Sequence, residues 1–276
     1  MKSFFKPKGV RAEYRYIPTA HGKLKLLIVK PEQLNNQTTG VLWIHGGGFA
    51  TGMAEMVYFS CGKMLAEKYG AVVISPEYRL SGKAKYPAAL EDCYTALEYM
   101  YDHRKELGIG KIVVGGESAG GGLAAAVCLY ARDKGKIRVS CQLPIYPMLD
   151  CFDTESSADN HGYIWNTKRN HQAWKLYLGD LYGKKEVPPY ASASRETDYT
   201  GLPPCATFVL EGEPFYRETL TYVKNLQEAG IEAFVSVYPG KMHSFDLFLP
   251  WTKRAKTARK TLCGQYLQLL SGEKES

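Results

Sequence analysis

Seven short runs of apolar and β-branched residues punctuate the chain: 24–30 (LKLLIVK), 41–45 (VLWIH), 71–75 (AVVIS), 111–115 (KIVVG), 137–143 (IRVSCQL), 206–210 (ATFVL) and 233–238 (AFVSVY). Polar alternation is nearly absent from them, which predicts strands covered on both faces, as in a parallel sheet. Between most of these runs the apolar positions recur every three or four residues, the spacing of a helix with one buried side. The clearest case opens at Pro87, a favourable first helical residue, and continues through Leu90, Tyr94, Leu97 and Tyr101. Further helices are expected over 56–69, 119–132, 217–229 and 253–270, the last carrying Leu262, Tyr266 and Leu270. Gly70 and Gly230 stand where left-handed helix caps belong.

Strand then helix, repeated, implies right-handed crossovers and an α/β fold with a mostly parallel sheet of about eight strands and helices on both faces. Segment 12–18 pairs with the first run as an antiparallel edge. There is no internal repeat or low-complexity linker, so one domain is expected over 1–276. One stretch breaks the rhythm. From Asp150 to Pro204 the sequence is polar and aromatic, with Trp165, Trp174, Tyr177 and Tyr182 but no strand signal. A strandless excursion of that length suggests a functional insertion, expected to be partly helical and to cover the site over about 151–185.

Composition narrows the class. Of 276 residues, 45% are hydrophobic and 23% charged, as in ordinary soluble domains. The net charge of +7 is spread along the chain, and its densest doublets, Lys184–Lys185 and Lys253–Arg254, are too short for a nucleic-acid arm. No run is long enough for a membrane span or a signal peptide, so a cytoplasmic protein is expected. Seven scattered cysteines (Cys61, Cys93, Cys128, Cys141, Cys151, Cys205 and Cys263) form no CxxC or Cys/His cluster. They read as free thiols, with neither a disulfide framework nor a metal site.

Three motifs carry chemistry. Gly116-Glu117-Ser118-Ala119-Gly120 follows a strand and precedes a small-residue helix, the context of a nucleophile elbow. Such a turn is so tight that its flanks must be small, and it lifts a serine hydroxyl to the positive end of the next helix. His45-Gly46-Gly47-Gly48-Phe49 also follows a strand; Gly46, Gly47 and Gly48 offer backbone N–H groups free of side chains, as a tetrahedral oxyanion requires. A phosphate-binding loop would need G-x-G-x-x-G or a following Lys-Ser/Thr, and neither is present. His45 precedes the serine and reads as an anchor of its loop. His243 follows the last strand and precedes the last helix, the late position of a catalytic base in this order of elements. His103, His161 and His171 lack such a placement.

The acid that would orient His243 should follow the strand ATFVL, where Glu211 and Glu213 both stand. Strand alternation puts the two on the same side, so spacing does not separate them. Asp198 precedes that strand, Asp150 follows an earlier one and Asp246 lies beyond the base.

With these motifs in place, the chain resembles the hormone-sensitive-lipase-like branch of the α/β-hydrolases, the bacterial esterase and acetyl esterase type. HGGGF at 45–49, PEYRL at 76–80, YPAALEDCYTAL at 86–97, GESAGGGLA at 116–124, PMLD at 147–150, YAS at 190–192 and GLPP at 201–204 carry the likeness, with His243 before Phe245. The resemblance implies an α/β-hydrolase fold and cleavage of short acyl esters by a Ser–acid–His triad without metal or cofactor. It implies oxyanion donors at Gly47, Gly48 and Ala119, and it aligns Glu213 with the acid, because Pro214-Phe215 follows it. Two departures stand out. The family's usual aspartate is a glutamate here, and a further aspartate common shortly after it is Arg217. The segment before the Gly loop is also short, which leaves most of the cover to the insertion.

The substrate class remains open at this level. The 20 tyrosines could stack on sugar rings, as in a carbohydrate deacetylase, or could serve packing. A formamidase or amidase of the same fold and a non-catalytic small-molecule receptor are the alternatives, the latter disfavoured by the presence of both Ser118 and His243. The partner expected is a small ester, with no nucleic acid and no membrane; a final amphipathic helix and an edge strand are compatible with a homodimer.

Overall fold

The computed structural model describes residues 9–33 and 37–272. The first residues of the chain, part of the stretch read for a signal peptide, lie outside them. In chain order the elements are β1 (Val10–Thr19), β2 (Gly22–Pro31), β3 (Thr38–Ile44), α1 (Cys61–Tyr69), β4 (Val72–Pro76), α2 (Ala88–Asp102), β5 (Ile109–Glu117), α3 (Ala119–Lys134) and β6 (Cys141–Ile145). They continue with α4 (Thr167–Leu178), β7 (Cys205–Leu210), α5 (Tyr216–Glu228), β8 (Ala233–Tyr238), α6 (Phe245–Phe248) and α7 (Lys253–Ser271). The eight strands form one sheet in the order β1-β2-β4-β3-β5-β6-β7-β8. β1 and β2 form an antiparallel hairpin, β2 runs antiparallel to β4, and the rest is parallel.

Both faces are apolar, which explains the missing alternation in sequence. Leu26, Ile28, Leu42 and Ile44 point into one core with the buried sides of α2, α3 and α5. Their neighbours Leu27, Val29, Val41 and Trp43 point into the other, under α1 and α7. The hydrophobic effect therefore fixes register on both sides at once, since a one-residue slip would exchange the two cores. All seven cysteines are thiols, six of them buried. Among the described residues no helix is long and apolar enough to cross a membrane.

Three expectations shift. The helix read over 56–69 is two pieces, a 3-10 turn over Ala54–Phe59 and then α1. Ser60 divides them: its backbone is extended, and its hydroxyl accepts the Gly62 N–H, a side-chain cap that starts a new helix. The strand expected over 137–143 lies later, at Cys141–Ile145, and runs through Pro144. Pro144 sits inside β6 opposite Gly116, and its carbonyl accepts the Thr207 hydroxyl. The helix read to 229 ends at Glu228, with Gly230 left-handed two residues on (φ 78°). Gly70 caps α1 in the left-handed conformation as expected. The segment 150–204 holds no strand and one α-helix, α4.

Candidate active site

Ser118, Glu213 and His243 all follow the C-terminal ends of parallel strands, where loops in such a sheet converge. Ser118 lies at the β5–α3 junction with φ 57° and ψ −121°, a conformation that a non-glycine residue adopts only when its surroundings enforce it. The enforcement is visible. The Ser118 N–H donates to the Ile145 carbonyl at 3.0 Å, and the Ser118 carbonyl accepts the N–H groups of Gly122 and Met148. A Cβ on Gly116 would sit 2.6 Å from the Gly120 carbonyl oxygen, and one on Gly120 would sit 2.5 Å from that of His45. Both glycines of the motif are thus required by close backbone approach. The N-terminus of α3, with its positive dipole end, begins at Ala119.

The three side chains form one hydrogen-bonded line. Ser118 Oγ is 2.9 Å from His243 Nε2, and His243 Nδ1 is 2.5 Å from Glu213 Oε2. With the imidazole proton on Nδ1, the serine donates to Nε2 and Nδ1 donates to the carboxylate. All three residues are buried. The other carboxylate oxygen of Glu213 accepts the Leu210 N–H at 2.7 Å, so the side chain folds back onto the strand end. Residues 211–213 form a turn beyond β7, and the alternation expected to align Glu211 with Glu213 therefore ends before them. Glu211 is exposed, and the pairing with His243 is made by Glu213.

The other acids are engaged elsewhere. Asp150 pairs with Arg195 at 2.9 Å, and Asp198 accepts the Thr200 N–H. Asp246 accepts from Tyr146 and Arg259.

The Gly loop packs directly on the elbow. A Cβ on Gly46 would meet the Glu117 carbonyl oxygen at 2.9 Å and Ser118 Cβ at 3.3 Å. Gly47 and Gly48 have positive φ (117° and 59°), and the Gly47 carbonyl accepts the N–H groups of Ala50 and Thr51. His45 anchors this loop. It stacks on Tyr78 at 4.2 Å, its Nδ1 lies 2.8 Å from the Gly46 carbonyl, and burial lowers its pKa and favours the neutral ring.

The insertion closes over these groups. Trp165 lies against Gly48, where a Cβ would overlap the tip of its ring, and its ring centre is 6.3 Å from that of His243. Asn170, buried in α4, accepts the indole N–H at 3.2 Å. Ser156 donates to the Pro214 carbonyl and Asn160 to that of Gly212, tying the insertion to the turn that carries Glu213. A hollow of 690 Å³ lined by Arg132, Ser140, Pro203 and Leu269 lies at the opposite end of the strands, since Ser140 and Pro204 precede β6 and β7. It is remote from this chemistry.

A family model described as alpha/beta hydrolase fold matches residues 41–247, three quarters of the chain. The chain belongs to that family. The likeness to its hormone-sensitive-lipase-like branch, read from the motifs, is borne out. The hydrolase is 30% identical over 240 residues to an arylesterase of Saccharolobus solfataricus, covering 85% of this chain and 76% of that one. It is 28% identical over 236 residues to an acetyl esterase of Salmonella dublin, covering 83% and 71%. A solved bacterial heroin esterase superposes with a TM-score of 0.92 at 33% identity, covering 97% of this chain and 87% of that one.

Several residues around the hydrolase's site were invisible in sequence. Tyr146 and Phe215 each present a ring at 4.9 Å from the His243 ring, nearly perpendicular to it. Glu117, the variable position of the elbow motif, is buried and accepts the Trp43 N–H at 2.8 Å. Burial pushes its carboxyl up to about 8; the Asp246 charge adds to the shift, and the Trp43 N–H and Arg259 oppose it. The sequence signal for Glu117 is a charge between Gly116 and Ser118 at the end of an apolar strand. Among the described residues no group of three or more His, Cys, Asp or Glu side chains is placed to hold a metal ion.

Proposed function

We propose that this hydrolase is a serine carboxylesterase acting on short, acetyl-like acyl esters through an acyl-enzyme. The observation that carries the reading is the unbroken line from Ser118 Oγ through His243 to Glu213. Ser118 attacks the ester carbonyl while His243 Nε2 takes its proton; the same nitrogen then protonates the leaving alkoxide, and water resolves the acyl-enzyme by the reverse route. Glu213 orients the ring and stabilises the imidazolium. Gly47, Gly48 and Ala119 supply N–H donors to the oxyanion, and Gly46 provides the close contact that holds the loop on the elbow. We take the chain as one catalytic domain with 151–185 as its cap.

The preference for short acyl groups rests on Trp165. Its ring covers Gly48 and leans toward His243, walling the space beside the nucleophile. Trp174 and Tyr177, which could have served as sugar platforms, are buried against Phe49 instead.

The test is hydrolysis of p-nitrophenyl esters from acetate to palmitate by the wild type and Ser118→Ala in parallel. Turnover concentrated on the short esters, and lower by several powers of ten in the variant, is expected. Equal rates in the two proteins would refute the mechanism, and a preference for long chains would refute the substrate class.

A further inference from the structure

A second polar chain stands behind His243, and the mechanism above does not use it. Asp246, three residues after the histidine, is fully buried. Its Oδ1 accepts the Tyr146 hydroxyl at 2.7 Å, and its Oδ2 accepts Arg259 Nε at 3.1 Å. Arg259 reaches over from α7 and also donates through Nη2 to the backbone carbonyls of Asp246 (2.8 Å) and Phe59 (2.9 Å). One guanidinium thus holds both the side chain and the backbone of the turn that carries the histidine. Tyr146, locked at its far end by Asp246, presents its ring to the imidazole at 4.9 Å and 78°. Its backbone is fixed too, at φ 34°, with its N–H donating to the Phe208 carbonyl.

The geometry explains why such a device is useful. Hydrogen bonds at Nδ1 and Nε2 fix two points of the imidazole but restrain only weakly a tilt about the line joining them. The nitrogens' bonding directions lie in the ring plane and diverge from that line, so a tilt misaligns both bonds. The bonds oppose such a tilt only softly near their optimum, and the walls of the ring supply the stiffer restraint. The acid here is a glutamate, whose extra rotatable bond pins the ring less firmly than an aspartate would.

We propose that Arg259, Asp246 and Tyr146 form a positioning chain that fixes the plane of the His243 ring, keeping Nε2 on Ser118 and Nδ1 on Glu213. The chain rests on the triad assigned above. It neither touches substrate nor moves a proton.

Tyr146→Phe tests it, because the ring and its packing stay while the bond to Asp246 goes. With p-nitrophenyl acetate, kcat should fall about tenfold with KM within about twofold, a partial loss of general-base efficiency. The proton resonance of the His243 Nδ1–H that faces Glu213 should move or broaden at a temperature where circular dichroism shows the variant fully folded. Asp246→Asn keeps an acceptor for the tyrosine hydroxyl and should reproduce the kinetic effect more weakly. An unchanged kcat in Tyr146→Phe, or a lower kcat with the Nδ1–H resonance unmoved, would overturn the proposal. Ser118→Ala, run alongside, separates the two readings. If it keeps wild-type activity, the triad itself is misassigned; if it is inactive while Tyr146→Phe is normal, the positioning chain alone fails.

Discussion

The site is assembled from two regions built on different physical rules. At the strand ends, the elbow and the Gly loop are held by backbone against backbone. Gly46, Gly116 and Gly120 lie where a single added carbon would collide with a carbonyl oxygen that cannot move. In the insertion main-chain contacts recur, as at Gly162 against Trp165, but much of the position is set by side chains that reach to backbone or to one another. Thr167 donates to the Ser157 carbonyl, Asn160 to Ser156 and Gly212, Ser156 to Pro214, and the Trp165 indole to Asn170. The first kind of region has no slack, because close-packed main chain has no alternative rotamer. The second can lose one bond and keep the rest. On the function proposed above, reaction geometry would reside in the rigid region and substrate fit in the adaptable one.

Gly120→Ala should break the contrast most visibly. The new methyl would overlap the main chain of Ile44 and His45, and neither can rotate away, so a loss of more than about 3 kcal/mol in urea unfolding is expected, with activity falling in step. A stability change below about 1 kcal/mol would show the strand ends to be as forgiving as the insertion.

Glu117→Gln comes next and carries a sign. In the folded chain the Glu117 carboxyl keeps its proton up to about 8, against 4.5 as its ordinary value. The folded state therefore binds the proton more tightly. Its contribution to stability is fully present below pH 4.5, declines as pH rises and is gone above about 8. Glutamine cannot ionise, and its carbonyl can still accept the Trp43 N–H. The variant should lose part of this decline and exceed the wild type by about 2 kcal/mol at alkaline pH in urea titrations. Parallel pH–stability curves for the two proteins would remove Glu117 as the source.

Trp165→Ala should have the smallest effect on folding and a clear one on selectivity. The ring is half-buried and its hydrogen bond to Asn170 lies in the adaptable region, so about 1–2 kcal/mol of stability is at stake. The ratio of kcat/KM for p-nitrophenyl octanoate over acetate should rise about tenfold as the wall beside Gly48 is removed. An unchanged ratio would place the acyl limit elsewhere.

The same division decides what could be read from the chain. Backbone-limited positions leave glycines at fixed spacing, and so 45–49 and 116–120 announced themselves. Both faces of the sheet were legible because burial on two sides removes alternation, and His243 was legible from its place after the last strand. Glu213 needed the family resemblance, since the argument from alternation failed at a turn. What stayed hidden depends on side chains far apart in sequence: Tyr146 with Asp246, Asp246 with Arg259, and Trp165 over Gly48. Asp246 lies beyond the base in sequence, yet the turn after His243 brings it to the hydroxyl of Tyr146, whose ring faces the imidazole. The ranges 56–69 and 137–143 missed for a local reason: the Ser60 hydroxyl caps a new helix, and the Thr207 hydroxyl meets the Pro144 carbonyl inside β6.

Pro144 has one more consequence. β6 meets β7 at Gln142 opposite Cys205 and through the Tyr146 N–H to Phe208, and between these points the proline has no donor to give. The ladder therefore lacks one main-chain bond there, crossed instead by the Thr207 hydroxyl, with the strand leading to Ser118 on one side and the strands leading to Glu213 and His243 on the other. Warming or mild denaturant that frays this pairing would separate Ser118 from its base while each half kept its own ladder. The enzyme would fall silent before it melted, and its heat inactivation would report the opening of one joint rather than the collapse of the fold.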